Sequence, residues 1–302
     1  YAVNIAICDD EKYISSDIPA ILSYTRDFYL LDDLEFVVLD NKSATFYNSD
    51  LEILPKKTCN IEWNATASEK NGYADFMSKE IDEQPTAIRE TIGSRINISD
   101  FHCEFSELPL TKDYLQSINK IYIVACGTAM HAGLSGKNTI EKLCRIPVEV
   151  DIASEFRYRN PIVDSNTLSI FISQSGETAD TIAALKLAKS MGSKTIAISN
   201  VIGSSITREA DYSIYTHAGP EIAVASTKAY TSQVVLINIL AIYFAEILKC
   251  CPENDLLYLK KEILGLPKKV EETLHCKDDI KRFAKKIYQE KDVFFLGRGV
   301  DE

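Results

Sequence analysis

Ser173-Gln174-Ser175-Gly176-Glu177-Thr178 directly follow the apolar run Leu168-Ser169-Ile170-Phe171-Ile172 and precede a stretch with helical spacing. Ser173 and Ser175 place hydroxyls at the end of a strand, Gly176 permits close backbone approach, and Thr178 stands where a helix begins. A helix N-terminus offers unpaired N–H donors and roughly half a positive charge. Such a loop can grip a phosphate without any Lys or Arg. The same residues also fit a plain helix cap, with Ser175 and Thr178 satisfying the first turn. The pattern alone leaves both readings open.

Two further loops follow apolar segments. Cys126-Gly127-Thr128 comes after Ile121-Tyr122-Ile123-Val124-Ala125 and can add N–H and hydroxyl donors to the same ligand, or simply turn the chain out of a buried strand. Nothing by motif ties a His or an acid to Cys126, so an inert, buried thiol is expected. Gly219-Pro220-Glu221-Ile222-Ala223-Val224-Ala225-Ser226-Thr227-Lys228 is too long for a tight turn and has an apolar middle, as suits a loop that closes over a ligand. Lys228 has the chemistry of a catalytic amine, but a structural pairing with Glu221 is the expectation at a helix start.

The elements that position these loops alternate strand and helix. Strands are expected at Ile121–Ala125, Pro147–Val150, Leu168–Ile172, Lys194–Ile198 and Tyr212–Tyr215. Helices are expected after the first strand to about Leu143, after Thr178 with Ile182, Leu185 and Met191 inward, and from about Thr227 to Leu248, ended by Pro252. Buried apolar strands alternating with helices predict a parallel sheet covered on both faces, with ligands outside the carboxyl ends of its strands. Upstream, residues 1–60 look β-rich, with Glu35–Leu39, a polar turn at Asp40–Ser43, and Ala44–Tyr47 reading as a hairpin. Thr66 to Ile96 is polar and helical, with Phe76, Ile81 and Ile88 on one face and Pro85 at a kink or helix start. Ser99 to Lys112 reads as an irregular connector, and about Asn254 to Gln289 as charged helix. Asp292–Gly299 repeats the pattern of Lys120–Gly127, an apolar strand opening into a glycine turn, and predicts the first strand of a second copy.

The whole-chain balance narrows the function. At 302 residues the chain suffices for one large domain or two, and 46% hydrophobic with 25% charged residues is ordinary for a globular protein. A formal net charge of −11 disfavours nucleic acid and anionic membranes as partners, and means that any anion is held by local dipoles. The eight cysteines form no C-x-x-C pair, and His102, His131, His217 and His275 have no ligand spacing with them, so neither a metal site nor a cofactor is expected and the thiols read as reduced and cytoplasmic. The longest apolar run, Val234 to Ala245, is broken by Asn238 and reads as too short to span a bilayer.

Cys126-Gly127-Thr128, Ile152-Ala153-Ser154-Glu155-Phe156-Arg157-Tyr158-Arg159, Ile172 through Asp180, Gly203-Ser204-Ser205 with Arg208-Glu209, and Val224-Ala225-Ser226-Thr227-Lys228-Ala229 together resemble the glutamine–fructose-6-phosphate aminotransferases, or glucosamine-6-phosphate synthases. Lys79-Glu80-Ile81 with Glu83-Gln84-Pro85 resembles the segment joining that family's two halves, and Ser15–Ile21 the end of its glutaminase domain. The resemblance implies an α/β fold, a sugar isomerase (SIS) domain with a five-stranded parallel sheet flanked by helices in three α/β/α layers, preceded by a β-rich remnant of an Ntn-type glutaminase. It implies residues 1–65 as that remnant, 66–112 as a connector, 113–250 as the first SIS domain, 251–290 as a helical linker and 291–302 as the start of a second SIS domain. It further implies that fructose 6-phosphate or glucosamine 6-phosphate binds with its phosphate on Ser173, Gln174, Ser175, Gly176 and Thr178, aided by Thr128, while Cys126, Gly127, Val224 and Ser226 line the sugar. Members form glucosamine 6-phosphate and glutamate from fructose 6-phosphate and glutamine, and a homodimer is expected.

Departures from the family pattern matter as much. Ala129 stands where many members have Ser. The family's glutaminase uses an N-terminal cysteine as nucleophile, whereas the chain starts with Tyr1 and resembles only the last part of that domain, and the isomerase's glutamate base, ring-opening histidine and Schiff-base lysine match nothing here. The expectation is therefore a chain that holds substrate but has no catalytic residue of its own and is inactive alone. A non-catalytic SIS module that senses phosphosugars is the alternative, disfavoured by the connector and glutaminase motifs.

Overall fold

The computed structural model describes residues 3–8, 11–15, 20–22, 24–31, 34–40, 43–60 and 70–297, which divide into two compact units, Tyr1–Asp75 and Phe76–Glu302. Ser16–Pro19, Asn41 and Lys42, Thr66–Glu69 and Arg298–Glu302 belong to segments singled out in the sequence but lie outside the described residues.

The first unit is antiparallel β. Strands β1 (Asn4–Ile7), β2 (Lys12–Ser15), β3 (Asp27–Leu30) and β7 (Cys59–Asn60) form one sheet in the order β2-β1-β3-β7; β4 (Phe36–Leu39), β5 (Ala44–Tyr47) and β6 (Ile53–Leu54) form another. The expected hairpin is present, pairing Phe36 with Tyr47 and Leu39 with Ala44. Asp40 ends β4 by accepting the Ser43 N–H at 2.6 Å and its hydroxyl at 2.8 Å. Ala6, Ile21, Leu22 and Phe28 make a small core.

The second unit opens with helices α1 (Phe76–Asp82), α2 (Gln84–Ile92) and α3 (Lys112–Ser117). Pro85 sits in the first turn of α2, where its missing N–H costs nothing. Then come β8 (Lys120–Ala125), α4 (Thr128–Cys144), β9 (Val148–Ile152), α5 (Ala153–Tyr158), β10 (Thr167–Ser173), α6 (Ala179–Ser190), β11 (Lys194–Ser199), α7 (Ser205–Glu209), β12 (Tyr212–Tyr215), α8 (Lys228–Leu248), α9 (Glu253–Leu274) and α10 (Lys277–Ile287). All five strands run parallel in the order β12-β11-β10-β8-β9. Alternate strand residues feed opposite faces. Ile121, Ile123, Ile170, Ile172 and Ile198 pack under α4, α8 and α9, while Tyr122, Val124, Phe171 and Ala197 meet Phe156 of α5 and Leu185 of α6. Helices on both faces explain why β10 is buried at every position.

Four expectations change. The apolar run Val234–Ala245 extends at both ends into α8, whose 21 residues are long and apolar enough to cross a membrane by length and composition, the one such helix among the described residues. It is nonetheless a core helix: Leu236, Ile237, Ile239, Leu240 and Phe244 are wholly buried, each burial stabilising by about 1.5–3 kcal/mol. α8 ends at Leu248, before Pro252, because Lys249 turns left-handed (φ 54°), and Pro252 instead caps α9. The stretch from Ser99 to Lys112 is irregular but not a loose tether, since Cys103, Phe105, Leu108 and Leu110 enter the main core. Asp292–Leu296 forms no strand, and Val293 to Leu296 are 50–94% exposed. An apolar strand needs a ladder partner, and no described residue offers one.

Candidate phosphate-binding site

The strand order reverses between β8 and β10, because β9 lies on one side of β8 and all later strands on the other. Loops leaving the carboxyl ends of these two neighbours diverge to opposite faces of a sheet and leave a crevice between them. Here those loops are Cys126-Gly127-Thr128 and Ser173–Thr178.

Ser173 is the last residue of β10 and is 3% exposed. Its hydroxyl accepts the Gly176 N–H at 3.0 Å and pairs with the Thr178 hydroxyl at 3.0 Å, which folds the loop back on itself. The Ser175 hydroxyl accepts the Glu177 N–H at 3.2 Å, and the Glu177 carboxylate accepts the Ser205 N–H at 2.8 Å, tying the loop to α7. Gly176 is demanded by the loop itself. Its φ of +70° and the Ser204 side chain, whose Oγ would lie 2.1 Å from an added Cβ, are what demand a glycine.

The cavity above these loops has a volume of ≈ 230 Å³. It brings together Cys126, Thr128, Ser173, Gln174, Ser175, Thr178, Val224 and Ser226 from the sequence-predicted set, with Ala129 among them. Gly127 and Gly176 shape the loops but are not among the lining residues. Cys126 is partly exposed and lines the cavity, in contrast to the buried thiol expected, because β8 ends one residue before it. Val224 is fully exposed and meets the cavity from its outer edge.

Three helices begin around this cavity, and they differ in one respect. Thr178 holds the N-cap position of α6 in an extended conformation, yet its side chain accepts no hydrogen bond from that helix. The plain-cap reading of Thr178 therefore fails. Gly127, at the N-cap of α4, has no side chain to cap with. By contrast α8 is capped from outside, since the Glu221 carboxylate accepts the N–H of Thr227 at 2.8 Å and of Ala229 at 3.1 Å, and the Ser226 hydroxyl at 2.9 Å. The Glu221 carboxylate at the rim of the cavity is thus engaged by the helix it caps. Two helix N-termini without side-chain caps converge on a cavity rich in hydroxyls and without a lining Lys or Arg.

Lys228 is not part of this lining. Its side chain is 4% exposed and its Nζ lies 2.6 Å from Glu83, not from the expected Glu221. The swap has a simple cause: Glu221 is consumed by the α8 cap, whereas Glu83 reaches the same ammonium from the N-terminal end of α2. Glu221 and Gln233 line the cavity without having been singled out as ligand groups. Glu221 sat inside a loop already marked; Gln233 lies within an apolar helical pattern that gave no signal.

The model of the SIS domain matches residues 114–243, from α3 to α8. This segment, a little under half of the chain, is similar to SIS domains. Along almost its whole length the chain is also a homologue of glutamine–fructose-6-phosphate aminotransferase (isomerizing). It is 53% identical to that protein of Clostridium acetobutylicum over 98% of this chain and 49% of the relative. It is 45% identical to that of Fusobacterium nucleatum over 99% of this chain and 49% of the relative. The chain thus spans about half the length of the curated relatives it matches. Among solved structures, the C-terminal domain of glucosamine-fructose-6-phosphate aminotransferase from Francisella tularensis superposes with a TM-score of 0.72 at 36% identity, covering 77% of this chain and 65% of that one.

Proposed function

We propose that the cavity of the SIS domain binds a hexose 6-phosphate, fructose 6-phosphate or glucosamine 6-phosphate. The observation that carries this reading is the convergence of the α4 and α6 N-termini, neither with a side-chain cap, on the hydroxyls of Thr128, Ser173, Ser175 and Thr178. A dianion is the group that uses such donors best. The printed activity of the relatives supports a phosphosugar as the particular ligand. The whole protein, on this reading, forms glucosamine 6-phosphate and glutamate from fructose 6-phosphate and glutamine in the cytoplasm, as a homodimer. Residues 1–65 are then the end of a glutaminase domain, 66–112 a connector, 113–250 the first SIS domain, 251–290 a linker and 291–302 the opening of a second. The 302 residues by themselves bind the sugar without turning it over.

Calorimetric titration with fructose 6-phosphate and glucosamine 6-phosphate tests the site. Hydrogen bonds to a charged group contribute about 1.5–3 kcal/mol each, so Ser175→Ala with Thr178→Ala is expected to weaken both sugars by at least about 100-fold. Equal affinity in the double variant, with an unchanged circular dichroism spectrum, would sink the assignment. Amidotransfer by the 302 residues alone would overturn their proposed inactivity.

A further inference from the structure

The wall of the cavity opposite the phosphate loops is the segment from Gly219 to Lys228, which contributes Glu221, Ala223, Val224 and Ser226. It has no regular structure from Gly219 to Thr227, so its shape depends on what holds it. At its start, Asn200 donates from Nδ2 to the Gly219 carbonyl at 2.7 Å. At its end, Lys228 is locked to Glu83 at 2.6 Å. Glu221 ties the segment only to itself and to α8. Between these ends, among the described residues, the hydrogen bonds that leave the segment go to one side chain. Glu80, 2% exposed on α1, accepts the Ile222 N–H at 2.6 Å and the Ala223 N–H at 3.2 Å on one carboxylate oxygen, with its second oxygen 3.3 Å from the Ala223 nitrogen.

That arrangement is costly unless it has a use. A buried carboxylate must be hydrogen-bonded to be tolerated, and here its partners are two consecutive backbone amides of an otherwise irregular loop. Glu80 therefore fixes the peptide planes on either side of Ile222 and Ala223, immediately before Val224. Lys79, Glu80, Glu83 and Lys228 form a buried or half-buried set in which α1 and the start of α2 clamp the middle and the end of the same loop.

We propose that Glu80 is a positioning residue for the sugar. It touches no ligand, but it sets the loop that walls the sugar portion of the cavity, while the phosphate portion rests on β10 and α6 and is independent of it. The inference rests on the phosphosugar reading above, and it makes a separable demand: Glu80 governs the sugar's share of the affinity and not the phosphate's.

The test compares two probes, inorganic phosphate and fructose 6-phosphate, on the intact 302-residue chain and on Glu80→Ala and Glu80→Gln. Amide hydrogen exchange at Ile222 and Ala223 is followed without ligand. Glu80→Ala is expected to accelerate exchange at both amides and to weaken fructose 6-phosphate by about tenfold, leaving inorganic phosphate within about twofold. Glu80→Gln keeps an acceptor oxygen in place and is expected to recover most of both losses, which a merely packed-in side chain would not require. Parallel loss of both probes, or no loss of either, overturns the positioning role, as does unchanged exchange at the two amides. If the unsubstituted chain binds neither probe, the phosphosugar reading itself falls and the Glu80 role with it. A chain that binds both probes with no Glu80 effect overturns the Glu80 role alone.

Discussion

Gly176 combines a left-handed backbone, φ +70°, with contacts that leave no room for a methyl group, since an added Cβ would lie 2.1 Å from Ser204 Oγ and 2.5 Å from its Cβ. A left-handed alanine costs about 1–2 kcal/mol and overpacking about another 1–3, so Gly176→Ala is expected to destabilise the fold by roughly 2–5 kcal/mol. A clear drop in the calorimetric melting temperature checks this, and an unchanged melting temperature would contradict it. The hydroxyls around Gly176 tell a related story. Ser173 and Thr178 bond to each other, and Ser175 holds Glu177, so the loop is shaped before any ligand arrives. Preorganisation of this kind lowers the entropy lost on binding.

At the scale of elements, α4 is the helix that joins the site to the core. It starts at Thr128 in the cavity and runs along α8, so its smooth face decides how closely the two helices approach. A Cβ on Gly136 would lie 2.0 Å from Ile237 Cγ2. Alanine is the better helix former by about 1 kcal/mol, but the collision involves a wholly buried side chain in a filled core and costs about 1–3 kcal/mol. Gly136→Ala is therefore expected to lower the urea midpoint, and combining it with Ile237→Ala, which alone costs about 2–5 kcal/mol, is expected to cost less than the sum of the two single losses. Strict additivity of the two substitutions would argue against the contact.

At the scale of the molecule, the second unit combines a parallel sheet whose central strands are buried with a thinly packed end. α10 has no buried residue, and Ile280 and Phe283 are each 60% exposed. The net charge of −11 makes acid stability informative, and Asp211 shows the sign. Burial pushes its carboxyl up, but the Thr195 N–H at 2.8 Å, the Thr195 hydroxyl at 2.9 Å and the Lys189 ammonium together outweigh burial and hold it below the usual carboxylate range. A carboxyl lowered in the folded state contributes stability fully present above its unfolded pKa and lost as the pH falls through the folded value. Asp211→Asn is thus expected to be less stable than the unsubstituted chain at pH 7, with the gap closing toward pH 2–3. Urea midpoints at both pH values measure it; a gap that persists in acid would exclude the carboxylate as its source.

Local physics made a large part of this legible. Largely apolar runs marked the central strands β8, β10 and β11, because a strand covered on both faces buries nearly every side chain, whereas the edge strands β9 and β12 are only partly buried and carry Glu149, Asp151 and Ser213. The Ser173–Thr178 loop stood out because hydroxyls and a glycine at a strand-to-helix junction suit a phosphate or a helix cap, and the pattern alone did not choose between them. Pairings between distant parts of the chain were not legible. Lys228 was matched with the neighbouring Glu221, while the fold supplies Glu83 from 145 residues away. Ser204 as the reason for Gly176, and Glu80 as the anchor of Ile222 and Ala223, depend on which elements the strand order brings side by side. So the sequence by itself determined the parallel α/β architecture and the loops that gather at the cavity. Only the tertiary structure decided which helix N-termini at the cavity lack a side-chain cap and which are capped, since that depends on where a carboxylate such as Glu221 comes to rest.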